Sequence, residues 1–324
     1  MLFDESIRKV FVTGGAGFIG SHVVDALIAE GLSVTLFDNL SSGRDKYLKA
    51  HLEKPGFKFV HADLLDLDRV KAEIPGHDLV WHLAANTDIP GGFVQTDLDV
   101  KNCVIATYNV LEAMRTTGVQ RMLFSSTGAI YGELCRYDFA SESAGPLLPL
   151  SLYAAGKLGS EAFISAYCNL FDLRAWMFRF GNVVGSRMSH GVIYDFVQKL
   201  KRDSSHLEIL GDGRQEKNYF LTEECIAGMA YAFRTAPMTP EKPVDLFNLG
   251  TDSVTGVKTI AKVVIEEMGL DNVEITYTGG ERGWPGDQPQ VHITSGKMHA
   301  LGWKAQKSSD EAVRLAARRL IADA

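Results

Sequence analysis

The segment Thr13-Gly14-Gly15-Ala16-Gly17-Phe18-Ile19-Gly20 limits what this chain can fold into more than any other. It contains both a GxGxxG spacing (Gly15, Gly17, Gly20) and a GxxGxxG spacing (Gly14, Gly17, Gly20). A short apolar run, Lys9 to Thr13, precedes it. Ile19, Val23, Leu27 and Ile28 follow at helical spacing. Glycines between a strand and a helix let the chain turn tightly and bring backbone against a pyrophosphate, which the helix N-terminus then faces.

The rest of the first half repeats the strand–helix rhythm. Strands are expected at Ser33–Asp38, Phe57–Asp63, Leu79–Ala85, Arg121–Ser126 and Leu173–Phe180, with helices from about Leu98 to Arg115 and Tyr153 to Phe171. Leu79–Ala85 is continuously apolar, as a strand buried on both faces should be. Such alternation predicts an α/β fold with a doubly wound parallel Rossmann sheet. After Phe180 turn-rich segments interrupt the pattern, and Asp245–Gly250 reads as a late return to the sheet. The expected organisation is a dinucleotide-binding domain at 1–181 plus 219–250. A smaller, discontinuous C-terminal substrate domain takes 182–218 plus 251–324. The 324 residues suit one large domain or two intimate ones.

Composition narrows the function. With 46% hydrophobic and 23% charged residues the chain is neither disordered nor a coiled coil. A net charge of −7 argues against binding nucleic acid through bulk charge. No apolar stretch is long enough for a membrane span, and the acidic start is not a signal peptide. The four cysteines form no CxxC and the histidines no HExxH. These features predict a cytoplasmic protein with reduced thiols, no metal site and a small-molecule substrate.

Asp38 ends the second strand, about 20 residues past the glycines, where a carboxylate accepts both ribose hydroxyls and repels a 2′-phosphate. This favours NAD over NADP, although Arg44 lies nearby. Asp63 can hydrogen-bond an adenine amino group or cap a helix. Tyr153 and Lys157 form a Tyr-x-x-x-Lys pair, on one face of a helix at i,i+4. A neighbouring ammonium favours tyrosinate and lowers a Tyr pKa from its reference of about 10, suiting it to act as a general base. Thr127 ends the fifth strand at its carboxyl end, where ligands of doubly wound sheets bind, and can hydrogen-bond a substrate hydroxyl. Ser125 reads better as a backbone cap.

Together these segments resemble the extended short-chain dehydrogenase/reductase family, in its NAD-dependent nucleotide-sugar epimerase/dehydratase group and most like the UDP-glucose 4-epimerase branch. The likeness also takes in Asp38–Gly43, His82–Ala85, Asn102 with Thr107–Ala113, Phe124–Gly132, Arg179–Gly185, Gly211–Gly213, Tyr219 and Trp284–Asp287. It implies that Gly14, Gly17, Phe18, Ile19 and Gly20 line the pyrophosphate. Asp38, Asn39 and Ser42 take the adenosine side, Asp63 and Leu64 the adenine, and Leu83, Ala84, Ala85 and Asn102 lie by the cofactor. Tyr153 would be the base, Lys157 would hold the nicotinamide ribose and Thr127 the sugar hydroxyl. Asn182, Lys217 and Arg282 would contact the nucleotide diphosphate.

The implied reaction is epimerisation at C4 of a nucleotide-activated hexose through a transient 4-keto intermediate. Gly128 and Ala129 stand where the family's dehydratases carry an Asp-Glu pair, which disfavours dehydration. Lys217 replaces an arginine common in relatives. Asn86–Gly92 departs from the family pattern where the sugar is expected. The alternatives are a nucleotide-sugar oxidoreductase, decarboxylase or 4-keto-sugar reductase on the same scaffold, or a non-catalytic NAD sensor. Apolar residues on more than one face of the helices near Leu98–Arg115 and Tyr153–Phe171 (Val104, Tyr108, Leu111, Met114; Leu158, Ala162, Phe163, Ala166, Tyr167) call for more than one packing partner, and the resemblance implies a homodimer through a four-helix interface built from this pair.

Overall fold

The computed structural model describes residues 1–136 and 138–323; Tyr137 and Ala324, which fall inside the two expected domains, lie outside them. Up to the sixth strand the elements are β1 (Lys9–Thr13), α1 (Phe18–Ala29), β2 (Ser33–Asp38), β3 (Phe57–His61), α2 (Leu67–Glu73), β4 (Leu79–His82), α3 (Ile89–Val94), α4 (Ala106–Thr117), β5 (Arg121–Thr127), α5 (Leu152–Leu170) and β6 (Arg174–Phe180). Then follow β7 (Asn182–Val184), α6 (Val192–Arg202), β8 (His206–Ile209), β9 (Glu216–Lys217), β10 (Tyr219–Leu221), α7 (Thr222–Thr235), β11 (Val244–Leu249), β12 (Thr255–Gly256), α8 (Val257–Glu267), β13 (Glu274–Tyr277), β14 (Gln290–Val291), α9 (Gly296–Ala300) and α10 (Ser309–Ala322).

Seven strands form the central parallel sheet in the order β11-β6-β5-β4-β1-β2-β3. The order reverses beside β1, so the carboxyl ends of β1 and β4 open the crevice in which such sheets bind ligands. Phe11, Phe37, Val80, Met122 and Phe124 share one core with Val110 and Met114 of α4 and Ile164 of α5. Val10, Val12, Leu36 and Trp81, one residue along, are equally buried. Alternation sends them to the opposite face, so helices must cover both sides.

The chain forms two compact units. One comprises Met1–Thr127, Ser151–Arg179 and Met229–Phe247; the other Gly128–Leu150, Phe180–Gly228 and Asn248–Ala324. Residues 128–150 and 219–228, which the sequence pattern assigned to the first domain, thus group with the second unit. The reason is bonding: Ala140 pairs with the segment around Ile293, donating to His292 O and accepting from Thr294 N. Asn248 Nδ2 donates to Ala140 O at 2.9 Å, and β10 pairs in parallel with β7. The second unit's core joins Ile193, Phe196 and Leu200 of α6, Ile260 and Val264 of α8, and Val313 and Ala317 of α10.

The fourth strand ends at His82, three residues earlier than expected, because Leu83 N turns to Thr13 O at 3.2 Å and the chain then crosses the glycine turn. The helix expected from about Leu98 begins with a π-helical turn over Val100–Ile105 before α4. Leu111 and Met114 supply the core face of α4, whereas Val100, Ile105 and Tyr108, and Phe163 and Leu170 on α5, remain exposed. Among the described residues no helix is long and apolar enough to cross a membrane, and no group of three or more His, Cys, Asp or Glu could hold a metal ion.

Candidate active site

The first unit gathers most of the expected site residues at the carboxyl ends of β1, β2, β4 and β5. Gly14 turns the chain at φ +69°, and a Cβ there would lie 2.7 Å from the Ala84 backbone. A Cβ on Gly20 would lie 2.1 Å from Gly14 O. Loop, helix and the segment after β4 therefore meet backbone to backbone. Gly17 caps α1 without a side-chain hydrogen bond, and the first turn holds no acidic residue. The N–H groups of Phe18, Ile19 and Gly20 are thus left to an anion, and the turn fits a dinucleotide pyrophosphate.

Asp38 braces this turn. Its Oδ2 accepts from Ala16 N at 2.9 Å and its Oδ1 from Leu40 N at 2.8 Å. Burial holds its pKa above the ordinary value, against those two bonds and the charge of His61. Each oxygen keeps further acceptor capacity for a ribose hydroxyl. Asn39 Nδ2 donates to Asp63 Oδ2 at 2.9 Å, while Leu65 N donates to Asp63 Oδ1. Leu64 is buried beside them and Ser42 is exposed on the following loop. Asn102 is placed differently: its amide donates to Leu98 O at 2.9 Å within its own helical segment.

A buried chain of hydrogen bonds runs from β1 to α5. His82 Nδ1 meets Thr13 Oγ1 at 2.6 Å and its Nε2 meets Thr107 Oγ1 at 3.0 Å. Thr107 donates to Ser160 Oγ, which donates to Gly156 O. That order assigns the proton to Nε2 and leaves Nδ1 to accept from Thr13. Burial, aided by the charge of Lys157, pulls the His82 pKa down to about 3, so the ring is neutral.

Tyr153, Lys157 and Thr127 come together as their spacing predicts. The Thr127 side chain lies close enough to the Tyr153 hydroxyl to favour its ionised form. Lys157 is buried, donates to Ser125 O at 2.6 Å and lies 4.8 Å above the Phe124 ring. The electrostatics reverse the expectation from sequence. Burial drives the Tyr153 pKa well up, Cys103 and Asp99 push the same way, and only Thr127 opposes them. Lys157 spends its ammonium on a carbonyl, and burial lowers its own pKa. Within the protein alone these effects favour the phenol over tyrosinate.

The segment Asn86–Gly92 is tied down locally. Asn86 Nδ2 donates to Asp99 Oδ1 and to Asp88 O, both at 3.0 Å, and Asp88 caps α3 by accepting from Gly91 N. Asp99 is buried, its second oxygen has no hydrogen-bond partner, and burial raises its pKa.

The model of the NAD dependent epimerase/dehydratase family matches residues 10–250. The chain belongs to that family. It is 31% identical to the UDP-glucose 4-epimerase of Mycolicibacterium smegmatis, over 93% of this chain and 99% of that protein. It is 28% identical to the dTDP-D-glucose 4,6-dehydratase of Mus musculus, over 95% of this chain and 87% of that one. A solved UDP-galactose 4-epimerase superposes with a TM-score of 0.85 at 34% identity, covering 97% and 99% of the two chains. The family is NAD-dependent, in keeping with the glycine turn and Asp38.

In this epimerase/dehydratase-family chain the residues expected at the diphosphate lie in the second unit, and its cations come already paired. Asn182 donates its backbone and side-chain N–H to Asn218 O. Lys217 Nζ lies 3.0 Å from Asp287 Oδ1. Arg282 donates to Glu133 Oε1 and to Asp287 O, each at 2.5 Å. Four residues near the site were not singled out from sequence: His82, Asp99, Glu161 and Arg179. His82 and Arg179 each stood in a quoted motif, at the end of a strand, without being given a role; Asp99 and Glu161 read as ordinary helix residues.

Proposed function

We propose that this chain interconverts the C4 epimers of a nucleotide-activated hexose, a UDP-sugar, through a transient 4-keto intermediate. The observation that carries this reading is Tyr153 beside Thr127, with the buried Lys157 one turn on and anchored to Ser125 O, in the unit that holds the glycine turn. Gly14, Gly17, Phe18, Ile19 and Gly20 hold the pyrophosphate of NAD, Asp38 its adenosine ribose, Asp63 and Leu64 its adenine, with Leu83, Ala84 and Ala85 alongside. NAD, when bound, supplies the hydride acceptor and donor for C4. Tyr153 Oη, in the tyrosinate form that the positive charges of Lys157 and of bound NAD would favour, takes the proton of the C4 hydroxyl as the ketone forms and returns it once the sugar has turned over. Thr127 orients that hydroxyl, and Lys157 fixes a positive charge in the same wall. Asn182, Lys217 and Arg282 hold the diphosphate, the two cations exchanging their carboxylate partners for phosphate oxygens.

Dehydratases share the family, so the choice against them needs support. A Cβ on Gly128 would already come within 3.1 Å of Phe180 O and 3.2 Å of Ile293. A side chain there would press on its neighbours, Gly128 itself carries no carboxyl, and Ala129 supplies none. The exposed apolar residues of α4 and α5 support a homodimer built on those helices.

The test is a panel of UDP-, dTDP-, GDP- and CDP-hexoses with the NAD-loaded protein, products followed by NMR. We expect a C4 epimer at constant NADH. A 6-deoxy-4-keto product would make it a dehydratase, and net NADH release an oxidoreductase or decarboxylase. Consumption of a 4-keto sugar with added NADH would make it a reductase, and binding without turnover a sensor.

A further inference from the structure

Three consecutive residues at the end of β5 each meet a different residue on one face of α5. Ser125 O accepts from Lys157, Ser126 Oγ donates to Glu161 Oε1 at 2.5 Å, and the Thr127 side chain lies beside the Tyr153 hydroxyl. The helix partners stand at i, i+4 and i+8, a single stripe. The proposed chemistry uses two of them and leaves Glu161 without a task. Yet Glu161 is costly to keep: it is 4% exposed, as is Arg179. A buried carboxylate persists only with full partnering. Arg179, from β6, supplies it in fork geometry, with Nε 3.0 Å from Oε1 and Nη2 2.7 Å from Oε2. The Ser126 hydroxyl completes the set.

The arrangement has a mechanical meaning. Ser126 sits between the residue that holds Lys157 and the residue that meets Tyr153. Fixing it to a carboxylate that Arg179 itself fixes stops the strand end from sliding along the helix. A slide of about 1 Å would misalign both neighbouring contacts, and misplacement on that scale costs rates on the order of a hundredfold.

We propose that Glu161, clamped by Arg179, is a positioning residue that sets the Thr127–Tyr153 alignment through Ser126. The inference rests on the function proposed above. Ser126→Ala removes one hydroxyl and leaves the ion pair whole, so it is the decisive variant. Glu161→Gln strands Arg179 and can fail to fold. In the NAD-loaded protein, Ser126→Ala should lower kcat about tenfold, with KM for the sugar and NAD affinity within about twofold of native. A readout independent of any sugar is the ζ-carbon resonance of Tyr153 in carbon-13 tyrosine-labelled protein, assigned by its loss in Tyr153→Phe. It reports the surroundings of the phenol oxygen and should move in Ser126→Ala at a temperature well below the melting point, which loss of the bond to Glu161 lowers by about a few degrees. An unmoved resonance, or an unchanged kcat, overturns the proposal. Should the native chain turn over no nucleotide sugar, the function reading fails and the resonance alone decides this one.

Discussion

Gly20→Ala is the sharpest test of the cofactor turn. The added methyl would sit 2.1 Å from Gly14 O, 2.7 Å from Gly15 Cα and 2.9 Å from Gly14 C, all backbone. Carbon–oxygen contacts ordinarily begin at about 3.3 Å, so the two must part by roughly 1.2 Å. Gly14 cannot retreat, because its own side-chain position already faces the Ala84 backbone at 2.7 Å and its carbonyl holds Gly17 N. The first turn of α1 must lift instead. Such overpacking costs about 1–3 kcal/mol of stability. It also draws the N–H groups of Phe18 and Ile19 away from the pyrophosphate. Two charge-assisted hydrogen bonds at roughly 1.5 kcal/mol each amount to about a hundredfold in affinity. Calorimetric titration with NAD reads this directly. Gly159→Ala, whose methyl meets only the Val104 side chain at 3.3 Å, is the control and should bind NAD as native does. If Gly20→Ala binds NAD within about threefold of native, the backbone-contact account of the turn is wrong.

Tyr153→Phe should cut turnover by about two to four powers of ten with NAD affinity unchanged, and Thr127→Val should cost less, both read by steady-state kinetics; loss of NAD with activity would make Tyr153 structural. Asp38 should give NAD preference over NADP in calorimetry, and equal affinities would instead make Arg44 a phosphate partner. His82 is neutral when folded, with its pKa depressed from 6.5 to about 3. Between those values the unfolded chain binds the extra proton, so this contribution is complete above pH 6.5 and is lost as pH falls toward 3. Denaturant midpoints should fall over that window more steeply in native protein than in His82→Gln, and parallel slopes would refute the assignment. Light scattering at micromolar concentration should report a dimer, and Phe163→Asp, which charges an exposed apolar position on α5, should shift it toward monomer.

The sheet was legible because parallel strands buried on both faces are continuous apolar runs: β1 and β2 span the residues expected of them. The glycine turn and the Tyr153–Lys157 pair were legible because their chemistry demands fixed spacings. Spacing says nothing, however, about where a long side chain ends. Lys157 at i+4 could have faced the Tyr153 oxygen; it reaches Ser125 O instead, and the expected sign of the tyrosine shift reversed. Glu161 escaped notice because a helical glutamate reads as solvent-facing until the fold closes over it, and Arg179, although it opens a quoted segment, had no partner that the sequence could name. The π-helical turn at Val100–Ile105 was invisible too, since the same residues serve either hydrogen-bonding pattern.

Residues 86–95 are held by hydrogen bonds among themselves and with Asp99, while α3 packs against α5. Asn86 closes on Asp88 and Asp99, Asp88 starts α3, Gln95 N ends it on Gly91 O, and Phe93 and Val94 stand 70% and 86% exposed between. On the function proposed above this stretch lies over the sugar, so exchanging its exposed tip should change which nucleotide sugar is accepted while the bonds between the end of β5 and α5 stay as they are.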